Sequence, residues 1–165
     1  MNILCVNDED KVIGTYNGKD IIFMKNEKSE MMISMGMAIC CVAPFMFNDE
    51  KKYIILHDNT FDKLPKKVQD MFVQHEIGHV MNGDLENITV LKSLGMILLR
   101  TIGIIPKMEI DADEYAAKQL GFDLAVKTLI YSSKHAGSLS AMGKLEMKRR
   151  ANYLKIKKLV NRIIK

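Results

Sequence analysis

His75-Glu76-Ile77-Gly78-His79 is the stretch on which the reading of this 165-residue chain turns. On a helix the two histidines stand one turn apart on a single face, so both imidazoles can reach one metal ion. Glu76 is swung about 100° round the axis from His75, beside the position that a metal-bound water takes. Two nitrogen ligands and a general base within five residues is the arrangement of a zinc hydrolase. The flanks favour a helix. Pro65 suits a first turn, Val68, Phe72, His75 and His79 fall at helical spacing, and Asn82-Gly83 supplies a stop. The histidines thus share an inward stripe with Val68 and Phe72, and buried imidazoles need partners.

A catalytic zinc takes three protein ligands and keeps one position for water. Glu109-Ile-Asp-Ala-Asp113-Glu-Tyr-Ala-Ala supplies the third. Glu109 and Asp113 are four apart and share a helical face. Glu109 can ligate while Asp113 accepts the free ring N–H of a ligating histidine. The competing reading is an acidic, solvated helix start, which the helix dipole favours anyway. Asp111 competes as ligand, but it points away from the Glu109/Asp113 face.

His75-Glu-Ile-Gly-His-Val-Met-Asn-Gly-Asp84, then Glu109-x-x-Ala-Asp113 and Ala116-Ala-Lys-Gln-Leu-Gly121, resembles the gluzincin peptidases. The likeness is greatest to the group of HtpX-like and CAAX-prenyl-protease-like enzymes, and it covers about residues 55 to 155. It implies a zincin-like domain with Zn2+ held by His75, His79 and Glu109, Glu76 as the base, and Asp113 behind the ligands. Glu146-Met-Lys-Arg-Arg-Ala-Asn-Tyr-Leu154 resembles the arginine-leucine segment that closes such domains. The Glu-x-x-Ala-Asp-x-Tyr-Ala-Ala string is also similar to the ImmA/IrrE-like proteases that cut transcriptional repressors.

One departure concerns membranes. HtpX-like members carry spans, some of them between the zinc histidines and the zinc glutamate. Here that interval is 29 residues, and its apolar part, Ile88 to Ile105, is interrupted by Lys92 and Arg100. That is too short for a membrane hairpin. The segment is expected to form a buried helix or two short ones, with a membrane-associated segment as the minor alternative. No transmembrane span is expected, and the chain reads as a reduced, soluble catalytic core.

The length suits one metallopeptidase domain over 1–165 with a real hydrophobic core. Met1-Asn-Ile-Leu-Cys-Val lacks the charged and apolar regions of a secretory signal. Of three cysteines, Cys40 and Cys41 are adjacent, which argues against a disulfide framework and for core positions in the apolar run Met37 to Phe47. Thirteen methionines suit an accommodating core. These features point to a reducing, cytoplasmic setting.

The first third is strand-like. Ile3 to Val6, Val12 to Tyr16, Ile21 to Met24, Ala38 to Ala43 and Tyr53 to His57 are short apolar or alternating runs, and Asn17-Gly18 is a hairpin signal. From Pro65 the pattern turns helical: the zinc helix, Ile88 to Ile105, about Lys107 to Leu120, Asp123 to Lys134, and a tail from Ser140. The fold class is therefore α+β, a small N-terminal sheet packed on the active-site helix with further helices after it. By the family likeness, Tyr53 to His57 is an edge strand on which a peptide substrate adds as a further strand. The other reading is an ordinary strand packed on the zinc helix, with His57 at the surface.

The resulting expectation is a zinc endopeptidase acting on protein or peptide. A tetrahedral oxyanion needs a donor besides the metal, and Tyr115, His135, Arg149 and Arg150 are the candidates that spacing leaves open. Residues 144 to 165 carry nine Lys/Arg against Glu146 alone. Leu154, Leu159, Val160 and Ile163 make this tail a basic amphipathic helix. Its apolar side is expected to dock on the domain. The other options are an anionic surface or an acidic partner; no motif supports nucleic acid. The alternative function is a zinc-holding, non-hydrolytic module that binds through this helix, but such a module has no need of Glu76.

Overall fold

A computed structural model describes residues 11–25, 40–42, 52–57, 59–84, 95, 98–100, 102–135 and 140–164. Strand β1 (Lys11–Tyr16) and strand β2 (Lys19–Lys25) form the hairpin that Asn17-Gly18 signals. Asn17 and Gly18 take φ of 49° and 73°, the left-handed pair that a two-residue turn between twisted strands requires. The register slips between Val12 and Gly14. Strand β4 (Lys52–His57) lies parallel to β2, pairing Ile21 with Tyr53 and Phe23 with Ile55, and strand β3 (Cys40–Val42) closes the sheet antiparallel to β4. The order is β1-β2-β4-β3.

That order corrects one expectation. Tyr53 to His57 is an inner strand, paired with β2 along its length and with β3 at Ile55, Leu56 and His57, so it is not the free edge expected. Among the described residues the outermost strand on that side is β3. His57 is a second correction. It is buried, stacked on Phe23 with ring centroids 4.3 Å apart, and its Nδ1 is 3.4 Å from Asp62. Strand alternation carries it to the same covered face as Tyr53 and Ile55.

Among the described residues the helices with defined bounds are α1 (Asn59–Asp62), α2 (Lys66–Met81), α3 (Lys107–Leu120), α4 (Phe122–His135) and α5 (Ala141–Ile163). With the sheet they make an α+β fold. Pro65 precedes α2, and its carbonyl accepts from Val68 and Gln69. Helix α2 packs on α3 and helix α4 on α5. One core joins Ile21, Ile55, Phe61, Met71, Ala116, Leu129 and Leu154 across the sheet and all five of these helices. Ser140 caps α5, its hydroxyl accepting from the Gly143 N–H at 3.1 Å.

Among the described residues no helix is long and apolar enough to cross a membrane. Ile3 to Val6 and most of Ile88 to Ile97 lie outside the described residues, as do Ala38, Ile39, Ala43 and the cysteine side chains. The end of the apolar segment departs from a buried helix. Leu98, Ile102 and Ile104 are exposed, because Gly103 at φ 79° turns the chain there, with Ile104 donating back to Leu99.

Candidate metal centre

Helix α2 presents His75 and His79 on its inward face, and α3 lies directly across it. What permits the approach is Gly78. A Cβ at that position would stand 2.9 Å from Ala112 Cα, 3.0 Å from its carbonyl oxygen and 3.2 Å from Tyr115 Cβ. Only a residue without a side chain lets the backbones meet so closely. Ala112, fully buried, sits between Glu109 and Asp113, so this contact brings both carboxylates up to the histidines.

The distances are those of a common site. His75 Nε2 and His79 Nε2 are 3.2 Å apart, and His75 Nε2 is 3.3 Å from Glu109 Oε2. His79 Nε2 is 3.9 Å from Glu109 Oε1. Ligands on a tetrahedral zinc, with bonds of about 2.0–2.1 Å, stand about 3.3 Å apart. The His75–His79 and His75–Glu109 separations match, whereas His79 lies nearest the other oxygen of Glu109, so the carboxylate must turn for a single oxygen to serve both rings. Buried His75, His79 and Glu109 thus form a group able to hold a metal ion.

Each histidine is anchored at its other nitrogen. His75 Nδ1 is 2.9 Å from Asp113 Oδ1, and His79 Nδ1 is 2.9 Å from Asp84 Oδ2. A carboxylate at Nδ1 holds the proton there and leaves Nε2 to face its partner ring. Asp84 reaches His79 because α2 ends in a tight wrap. Asp84 N–H donates to the His79 carbonyl at 3.0 Å and Gly83 N–H to Val80 at 3.1 Å, with Gly83 at φ 71°. Asn82-Gly83 stops the helix and also aims the next side chain.

Two arginines complete the cluster. Arg150, 4% exposed, comes from α5. Its Nε and Nη2 each donate to Asp113 at 2.7 Å, and its Nη1 donates to Glu109 Oε2 at 3.0 Å. Nη2 also lies 3.2 Å from His75 Nδ1. Arg100 donates to Glu109 Oε1, and its Nε is 3.6 Å from Glu146. Each oxygen of Glu109 therefore carries a guanidinium, and each retains a lone pair for a metal.

These contacts set the charges. Burial opposes ionisation of Glu109, yet Arg150, His75 and Arg100 together hold it well below the usual carboxylate range. Burial likewise works against Asp113, and Arg150 overcomes it. Burial and the Arg150 charge oppose protonation of His75, but the Asp113 and Glu109 carboxylates outweigh them and push it up to about 9. Burial raises Glu146, against the pull of Arg100 and Arg150.

Glu76, beside His75 on α2, is 7% exposed. Asp111 turns outward to Lys107, as its position on the helix requires. The four oxyanion candidates separate. Arg150 is committed to the carboxylates. Exposed Arg149 donates to the Gly103 carbonyl. His135 is exposed at the end of α4, stacked on Tyr131 with its Nδ1 3.0 Å from that residue's carbonyl. Half-buried Tyr115 stands at the α2–α3 contact beside Gly78.

Sequence spacing missed the roles of Arg150, Arg100, Asp84 and Gly78. Asp84 and Gly78 had a usable signal, the helix stop and the small residue between the histidines. Arg150 lies 75 positions from His75, beyond any local pattern. No protein-family model, curated protein or solved structure matches this chain.

Proposed function

We propose that the protein is a zinc-dependent endopeptidase with a zincin-like site. The carrying observation is the convergence of His75, His79 and Glu109, with the outer nitrogens of both histidines held by Asp113 and Asp84. His75, His79 and Glu109 would hold the ion. When bound, zinc would lower the pKa of its water toward about 7 and polarise a peptide carbonyl. Glu76 accepts the proton of the attacking water and delivers it to the departing amine. Asp113 and Asp84 keep both rings aimed, and Arg150 and Arg100 keep Glu109 ionised and in place. Tyr115 is the candidate donor to the oxyanion. The gluzincin likeness of the two motifs supports the same reading, as does the similar string of the repressor-cutting proteases.

The test joins metal content to cleavage of an unfolded protein such as casein at neutral pH. Wild type should carry about one zinc per chain, Glu109→Ala should lose it, and Glu76→Gln should keep the metal and lose cleavage. Cleavage that persists in Glu76→Gln sinks the mechanism. Zinc without cleavage in wild type moves the non-hydrolytic binding module ahead.

A further inference from the structure

Helix α5 carries an unusual outer face. Met142, Leu145, Ile156, Leu159, Val160 and Ile163 are all exposed, Ile156 at 62% and Ile163 at 82%. At 100° per residue they fall on one stripe, apolar toward both ends of the helix and crossed in its middle by exposed Arg149 and Asn152. The opposite face holds the helix on the domain. Leu154 and Ala151 are fully buried there, Tyr153 donates to Glu114, and Lys157 and Lys158 pair with Glu114 and Asp123. The expected docking of Leu159, Val160 and Ile163 on the domain is therefore overturned. Leu154 and Ala151 already fill that face, and the other three project from the far side.

The charges are sorted by the same geometry. Lys144, Lys148, Lys155 and Arg162 lie along one flank of the stripe, and Arg149 lies within it. Lys148, Arg149, Lys155 and Arg162 are exposed. Among the described residues Lys144, Lys148 and Lys155 form no ion pair, whereas the lysines of the inner side do. The stripe widens at its N-terminal end. Arg149 bonds to Gly103, which sets exposed Ile104 beside Met142 around a shared depression; exposed Leu98 and Ile102 lie in the same turn.

We propose that this face is an interfacial docking helix for an anionic lipid surface. Charge complementarity selects that occupant. Exposed apolar patches at both ends of one helix face, with a basic flank, are what insert at the headgroup boundary while the cations meet anionic lipid. A second copy fits poorly, because pairing two stripes would bring Arg149 and both basic flanks together. Helix α5 would lie in the plane of the surface, tied to the domain by its inner face. This reading is independent of whether the metal centre is catalytic.

The test is sedimentation of the full-length protein with vesicles of phosphatidylcholine alone, or with about a third phosphatidylglycerol. Binding should require the anionic lipid and fall as salt rises from about 0.1 to about 0.5 M. It should weaken about tenfold or more in two variants: Lys144→Glu/Lys148→Glu/Lys155→Glu, and Ile156→Ser/Leu159→Ser/Ile163→Ser. All six positions lie off the buried face, and circular dichroism checks that each variant is folded. Three results would overturn the proposal. One is no binding by folded wild type. Another is charge reversal that abolishes binding while the serine variant binds normally, which makes the contact electrostatic only. The third is a dimer in solution that the serine variant converts to monomer, with no vesicle binding.

Discussion

Arg150 meets Asp113 edge to edge, with Nε and Nη2 each 2.7 Å from a carboxylate oxygen. The pair is buried, and the same guanidinium reaches Glu109 and His75. Removing one partner of such a pair leaves an uncompensated buried charge, which costs about 3–5 kcal/mol. Arg150→Met should therefore lower the denaturant midpoint sharply. Arg150→Lys should rescue little, because an ammonium cannot span both Asp113 oxygens and Glu109 together. Chemical denaturation with chelator present separates this effect from metal loss. Near-wild-type stability of Arg150→Met would show that the guanidinium is not holding the α3–α5 junction.

Gly78 carries a different kind of constraint. A methyl group there meets the backbone of Ala112 at 2.9–3.0 Å, so the two helices must separate. Gly78→Ala should cost about 1–3 kcal/mol by overpacking. It should also weaken metal binding, because the same displacement carries Glu109 and Asp113 away from the histidines. Ala112→Gly should not restore stability, since the clash is with main-chain atoms that glycine retains. Rescue by Ala112→Gly in the double variant would show that the contact has been misjudged.

These two residues mark where sequence reasoning stops. The strands, the hairpin turn and four long helices follow from local chemistry: alternation in Tyr53 to His57, left-handed residues at Asn17-Gly18, prolines before α2 and α3, a serine cap on α5. The approach of Glu109 and Asp113 to the histidines was also legible, because each pair is one helical turn apart and needs a buried partner. Which strand lies at the edge was not. That depends on β3 pairing with β4, a choice made across residues with no local signature. Nor could spacing find Arg150, whose basic neighbours make it look like one more solvated cation. It is the only one of Lys148, Arg149 and Arg150 that rotates onto the buried face.

Asp84 accepts the outer N–H of His79 at 2.9 Å, the position that Asp113 holds for His75. Losing such a partner typically weakens metal binding about 10–100-fold. Asp84→Ala should show that loss in a competition titration against a zinc chelator. Asp84→Asn should lose less, because the amide oxygen still accepts from Nδ1. The fold should tolerate both changes, since Asp84 follows the end of α2 and is only half-buried. Wild-type zinc affinity in Asp84→Ala would mean that His79 is oriented by packing alone.

The charged cluster also sets a pH profile. With chelator present, His75 has its pKa raised to about 9 from near 6.5. Its contribution to stability is complete below 6.5 and is lost as pH rises through 9. Asp113 and Glu109 are lowered from their ordinary 3.8 and 4.5. Their contributions are complete above those values and are lost as pH falls below them. Chelated protein should therefore melt highest between about pH 4.5 and 6.5, with a decline of several degrees toward pH 9. Zinc should oppose the alkaline decline. It binds the ring only after Nε2 gives up its proton, so the melting difference between zinc-loaded and chelated protein should widen from pH 6 to 9. Thermal melts across that range, with zinc and with chelator, make the check. A chelated melting point that stays level between pH 6.5 and 9 would show that His75 gains no charge from its carboxylate neighbours.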